Sequence, residues 1–201
     1  MSVKPSPELY QSHFATAVDF QRYLADFKAA LDGSAATSYG NYAQYLPLNW
    51  QRTDRLYRQF KLNDATHQTL TDLNRPLRWL VIVEPWCGDV SQSLPVMARL
   101  AEASNNRIDL RLAYRDQNPN LMDAHLTDGV SHSIPILVQL DAEYQVTGTW
   151  GPRPEEAQAL VKRLKSDPST AVNYAEELHL WYARNSQQAI QDELIQLLKK
   201  G

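Results

Sequence analysis

The sequence predicts an α/β fold, a central mixed β-sheet flanked by helices, with helical extensions at its N- and C-terminal ends. Three observations carry this. RWLVIVE (78–84) is a continuous apolar run rich in β-branched residues, which suits a strand buried on both faces. From 78 to 165 the patterns follow the order β-α-β-α-β-β-α, which implies parallel pairing through a right-handed crossover and a closing antiparallel hairpin. Before and after that span, apolar residues recur at helical spacing.

Each element has its own signal. Residues 7–31 read as one amphipathic helix: Ser6, Pro7 and Glu8 form its start, Phe20, Leu24, Phe27 and Leu31 share a face, and Asp32-Gly33 ends it. The stretch 33–49 is turn-rich but holds three tyrosines, so it is expected to drape over the rest. A second helix is predicted from Trp50 to about Leu73, with Leu56 and Phe60 on one face. After the 78–84 strand, 89–104 reads as a helix kinked at Pro95. RIDLRLAYRD (107–116) alternates as a strand does, and 118–129 reads as a short helix ended by Gly129. IPILVQL (134–140) and YQVTGTW (144–150) form a hairpin, 155–165 is a helix, and 166–170 is a linker or cap. A last helical stretch runs to the C-terminus. The chain thus divides into an N-terminal helical extension packing on the core (1–76), a core domain (77–165) and a C-terminal helical extension (166–201).

The composition excludes several classes of function. Over 201 residues, 43% hydrophobic and 21% charged content are ordinary for a soluble globular protein. A net charge of -3 and a pI near 5.9 argue against nucleic acid or an anionic membrane as the partner. The start, MSVKPSPELY, has no apolar signal region, and no run approaches a membrane span. One cysteine cannot form an internal disulfide, so a cytoplasmic location is expected.

That cysteine, Cys87, lies in VEPWCGDVSQS (83–93), between an apolar strand and a helix. Three residues on, where a dithiol enzyme keeps its second sulfur, stands Val90. A thiol at a helix N-terminus meets unpaired N–H groups and the helix dipole, which favour the thiolate. Asp89 opposes this with its own charge. The expectation is a modest activation of Cys87 below the free-thiol value of about 8.5. A lone thiolate can form a mixed disulfide but needs an external thiol to resolve it.

Several motifs share one resemblance. WCGD (86–89) follows the first core strand, DQNP (116–119) ends the second, SIP (133–135) opens the third, and Gly151 follows the last. In this order and spacing the chain resembles the thioredoxin family, whose active-site turn is Trp-Cys-Gly-Pro. EPWCGDV, LMD, LTDG and WGPRP together are similar to a bacterial branch of that family with an N-terminal helical extension and a WCGD monothiol motif. The resemblance covers the core well and the flanks loosely. Two departures stand out: Val90 replaces the resolving cysteine, and Val81 stands where the family has a buried acid. A dithiol reductase is therefore excluded.

The resemblance implies a thioredoxin-like fold and a role in cell redox homeostasis through monothiol thiol-disulfide exchange, with Cys87 as the nucleophile. Trp86, Gly88, Asp89, Ser133, Ile134 and Pro135 would form the substrate- or partner-binding surface. A cis bond before Pro135 would leave the Ile134 backbone free to pair with an extended peptide. The alternative is a non-catalytic binding or adaptor protein that uses the groove around Trp86 and Ile134-Pro135. Protein or small-molecule disulfides are the implied partners. No cofactor is expected beyond glutathione or another low-molecular-weight thiol as co-substrate, and the oligomeric state is left open.

His132, Asp116 and Arg153 are candidate modulators. His132 could pair with the Cys87 thiolate, although an exposed loop histidine is the plainer account. The histidines show no metal-ligand spacing. Arg52, Arg55, Arg58 and Lys61 recur every third residue, which spreads them around a helix as a solvated face paired to nearby acids. A glutathione-transferase layout is excluded, because only residues 166–201 follow the core.

Overall fold

A computed structural model of the chain describes residues 5–33, 36–185 and 187–200. The core strand β1 is Leu77–Val83. Its residues Trp79, Leu80, Val81, Ile82 and Val83 are all fully buried, as the unbroken apolar run requires. Each such aliphatic or aromatic side chain contributes about 1.5–3 kcal/mol on leaving water. Strand β2 (Ile108–Tyr114) pairs parallel to β1, with Val81 opposite Leu112. Strand β3 (Ile136–Leu140) pairs antiparallel on the other side, and β4 (Val146–Trp150) closes the sheet against it. The order is β2-β1-β3-β4, a mixed sheet with helices around it.

Before the sheet lie α1 (Pro7–Thr16), α2 (Phe20–Leu31), a 3-10 segment (Ala36–Tyr45), α3 (Leu46–Gln59) and α4 (Asp64–Asp72). Between and after the strands come α5 (Gly88–Ala103), α6 (Pro119–Asp123), α7 (Glu155–Ser166), α8 (Pro168–Ala171), α9 (Tyr174–Asn185) and α10 (Gln188–Leu198).

Four expected helices differ from their sequence pattern. The 7–31 helix is two: Val18 exchanges backbone hydrogen bonds with Leu112 of β2 at 3.0 and 2.8 Å, which forces 17–19 to be extended. Asp19 then caps α2 by accepting the Arg22 N–H. The 50–73 helix breaks at Phe60–Asn63, where Asn63 caps α4 through the Thr66 N–H. The 118–129 helix stops at Asp123, and Thr127 pairs with Ser131 beyond it. The last helical stretch is two helices, α9 and α10, with Gln187 in the left-handed region ahead of α10, and the predicted 166–170 linker holds the single turn of α8. The tyrosine-rich stretch 33–49 does drape, as the 3-10 segment bent at Gly40, although its residues 34–35 lie outside the described ones.

Gly151 has a positive φ of 120°, and a Cβ there would overlap the Pro135 carbonyl oxygen. Only glycine lets the end of β4 lie this close to the 134–135 segment. Gln139, fully buried in β3, ties the sheet to the C-terminus: it accepts from Trp79 Nε1 at 3.1 Å and donates to the Leu197 carbonyl at 3.0 Å.

Candidate functional site

Cys87 occupies the N-cap position of α5, and its backbone N–H closes the Glu84–Cys87 turn onto the Glu84 carbonyl at 3.1 Å. Its Sγ–H donates to the Ile134 carbonyl at 3.3 Å, and the Ile134–Pro135 peptide is cis. The chain fold thus brings residues 47 apart in sequence face to face. Ile134 and Pro135 are buried. The thiol takes one of the two acceptor positions of the Ile134 carbonyl.

The expected activation of Cys87 is overturned. Crowding around the sulfur pushes the thiol up to about 12, and the Asp89 carboxylate adds to the rise. The N–H groups of Val90 and Asp89 and the Arg153 guanidinium pull the other way but lose. The helix N-terminus supplies its partial charge, yet desolvation of a thiolate is the larger effect here.

Asp89 explains part of this. It is 8% exposed, and its Oδ2 pairs with Arg153 Nη2 at 2.7 Å while Oδ1 accepts from the Tyr182 hydroxyl at 2.9 Å. Burial pushes Asp89 above its ordinary value, and Arg153 and Tyr182 act to keep it a carboxylate. Arg153 reaches this pair from the loop after β4, and Tyr182 from α9. The C-terminal extension therefore contributes directly to the surroundings of the thiol.

Trp86 is half-buried and covered from within the chain. The Tyr42 ring stacks on it at 4.3 Å between centroids and 18° between planes, and the Arg115 guanidinium lies 4.5 Å over it. Tyr42 comes from the 3-10 segment, which makes the N-terminal extension a cover on the cysteine turn. Gly88 is roofed as well: a Cβ there would sit 3.3 Å from the His179 ring, 3.7 Å from Arg52 and 3.9 Å from Asn49. Asn49 is buried and donates to the Pro85 carbonyl at 3.2 Å.

The remaining predicted residues divide. Arg153 joins the site. His132 does not: its ring pairs with Asp123 at 2.8 Å, because the 3-10 turn and short α6 put that carboxylate in reach. Ser133 bonds Ser131 through the two hydroxyls at 2.7 Å. Asp116 pairs with Arg115 by its side chain at 2.8 Å, while its backbone N–H donates to Glu84 Oε1 at 3.0 Å.

Glu84 is the main residue that sequence reasoning missed. It is 3% exposed, three residues before Cys87, and burial pushes its carboxyl up to about 7. Its place at the end of an unbroken apolar strand was the available signal. Tyr42, Arg115, Asn49 and Tyr182 were also missed, since only the tertiary fold brings them to the turn. Among the described residues, no cluster of three or more His, Cys, Asp or Glu is arranged to hold a metal ion, and no helix is long and apolar enough to cross a membrane.

Comparison with known proteins agrees with this geometry. No curated protein matches the chain. Two solved structures share its fold: a protein of unknown function from Pseudomonas aeruginosa, 17% identical with TM-score 0.64 over 94% of this chain and 96% of that one, and an HIV epitope scaffold, 20% identical with TM-score 0.62 over 94% and 97%. A family model described as thioredoxin matches residues 36–165, a span that takes in the Tyr42 cover, the cysteine turn and the Pro135 segment together. With a match over most of its length and a mixed sheet that sets Cys87 against Ile134-Pro135, the chain belongs to the thioredoxin family.

Proposed function

We propose that the protein is a monothiol thioredoxin-like oxidoreductase whose thiol is guarded at rest. The observation that supports this is the position of Cys87 at the N-cap of α5, with its sulfur against Ile134 and Tyr42 stacked on the adjoining Trp86. Burial pushes the thiol up to about 12, so in the closed state the reactive thiolate is disfavoured at neutral pH. On this reading, moving Tyr42 off Trp86 frees the tryptophan to swing away from the cysteine turn, which lowers the desolvation cost of a thiolate and lets the α5 N–H groups act.

The Cys87 thiolate then attacks a substrate disulfide. A new sulfur–sulfur bond joins Cys87 to one half of the substrate, and the other half leaves as a thiolate. A low-molecular-weight thiol such as glutathione, as its thiolate, attacks the mixed disulfide. Cys87 is released reduced, and the substrate half leaves as a disulfide with that thiol. Val90 lies within α5 and offers no internal resolving sulfur.

The test is alkylation of Cys87 across pH in the wild type and in Tyr42→Ala. The wild type is expected to react slowly at neutral pH, with a midpoint well above that of a free thiol. Tyr42→Ala is expected to react at least about tenfold faster at pH 7, as follows from one unit of pKa lowering. Glutathione-coupled reduction of a small disulfide should rise in Tyr42→Ala and vanish in Cys87→Ser.

A second reading is a non-catalytic binding or adaptor protein that uses Trp86 and the 134–135 segment. The engaged thiol and its high pKa favour it. It prevails if Tyr42→Ala leaves alkylation slow and Cys87→Ser leaves disulfide reduction unchanged.

A further inference from the structure

A cleft of about 300 Å³ opens between α3 and α9 beside the start of α5, lined by Arg52, Arg55, Gln92, His179, Tyr182 and Gln187. A water occupies roughly 30 Å³ of liquid, so the space fits a small molecule. Its charge is lopsided. Among the described residues, neither Arg52 nor Arg55 forms an ion pair, whereas Arg58 on the same helix is tied to Asp54 and Arg153 holds Asp89. The expectation that these arginines pair with nearby acids therefore fails for the two that face the cleft. Arg52 is half-buried, and its one hydrogen bond among the described residues is a long one of 3.4 Å to Asn49 Oδ1.

The other groups in the cleft fit the same chemistry. His179 Nδ1 is buried without a partner. Burial and the Arg52 charge push His179 down to about 4, so at neutral pH its ring is uncharged. Burial and Arg55 hold Arg52 below its ordinary value. Gln187 donates to Gln92 Oε1 at 3.2 Å and fixes that wall. Tyr182 spends its hydroxyl proton on Asp89. Asp89 is the acid nearest Arg52 in effect, and it is already engaged by Arg153. The Arg52 and Arg55 charges repel each other, and among the described residues Asp89, already engaged by Arg153, offsets this only in part. An anion entering from solvent would offset it further.

We propose that this cleft binds a small molecule through an oxyanion group, with Arg52 and Arg55 gripping it as forked donors and His179 facing it from α9. Guanidinium forks match the oxygen spacing of carboxylate and phosphate alike, and charge-assisted bonds of this kind are the strong ones. The site is independent of thiol exchange, because none of its donors is the Cys87 sulfur. Its position over Gly88 sets it against the thiol turn, where a bound molecule would hold the α3–α9 roof in place.

The test is an NMR titration of the histidine rings in the full chain with inorganic phosphate, and separately with succinate, each against sodium chloride at equal ionic strength. Either anion is expected to raise the His179 pKa by at least one unit, because it offsets the repulsion from Arg52. Arg55→Gln, at an exposed position, should weaken the binding about tenfold, the usual share of one charge-assisted bond. Arg52→Gln should abolish it and raise the His179 pKa without any anion. Arg58→Gln removes the same net charge outside the cleft and should leave binding unchanged. A phosphate response without a succinate response identifies a phosphate site, and the reverse a carboxylate site. No response of His179 to either anion overturns the proposal, as does an equal loss in Arg58→Gln.

Discussion

Arg153→Met will cost about 3–5 kcal/mol of folding stability at neutral pH, and acid will remove much of that cost. Methionine keeps the apolar stem of Arg153 and removes the charge. Asp89 would then be a buried carboxylate with the Tyr182 hydroxyl as its remaining side-chain partner. Breaking one side of a buried pair is expensive because the abandoned charge stays desolvated. The pH signature follows from the sign of the Asp89 shift. Burial already raises this group above its ordinary value, and loss of Arg153 raises it further. As pH falls, folded Asp89 takes up a proton before unfolded Asp89 does, and the penalty shrinks. Denaturant unfolding at pH 7 and pH 4 measures this. A double variant, Arg153→Met with Asp89→Asn, should recover more than half of the loss at pH 7, since neither charge remains. An Arg153→Met cost that is small, or identical at both pH values, would show that the pair is not holding this corner together.

The same pair shows which parts of the site a sequence can reveal. Asp89 and Arg153 were both visible as candidates, one from the WCGD turn and one from WGPRP. Their contact was not, because it depends on the β3–β4 hairpin returning the chain to the α5 N-terminus. The core itself was legible for a simpler reason. The unbroken run at 79–83 and the alternation that follows are local patterns with one packing solution. The helix breaks were illegible because the competing partner was remote: Val18 gives up helical geometry for the edge of β2, which no window around residue 18 contains. The Cys87 environment failed in the same way. Reasoning from the helix N-terminus had the correct sign for each local contribution, but the deciding one is burial of the thiol in the tertiary fold, which the sequence around Cys87 does not show.

Glu84→Gln will stabilise the fold by roughly 2–3 kcal/mol at pH 8 and leave it nearly unchanged at pH 4. Glu84 is 3% exposed, and burial raises its carboxyl from 4.5 to about 7. Below about 4.5 the group is protonated in folded and unfolded chains alike, so the glutamine makes little difference. Between 4.5 and 7 the unfolded chain releases its proton while the folded chain keeps it. Wild-type stability therefore falls as pH rises through that window and levels off above it. The glutamine, neutral throughout, escapes the fall. It also retains an oxygen for the Asp116 N–H, the contact that ties the end of β2 to the cysteine turn at 3.0 Å. Unfolding by denaturant at pH 4, 6 and 8 should show the two proteins diverging across the window. Parallel pH curves, or a less stable glutamine variant at pH 8, would mean that Glu84 is charged and satisfied in the folded chain. The bond from the Asp116 N–H favours the ionised carboxyl, so it works against the burial that holds the proton on Glu84. Arg115, which covers Trp86, stands on the same loop as Asp116, and its charge likewise favours the ionised form of Glu84, so loss of the Glu84 charge removes an attraction that holds Arg115 near the cysteine turn.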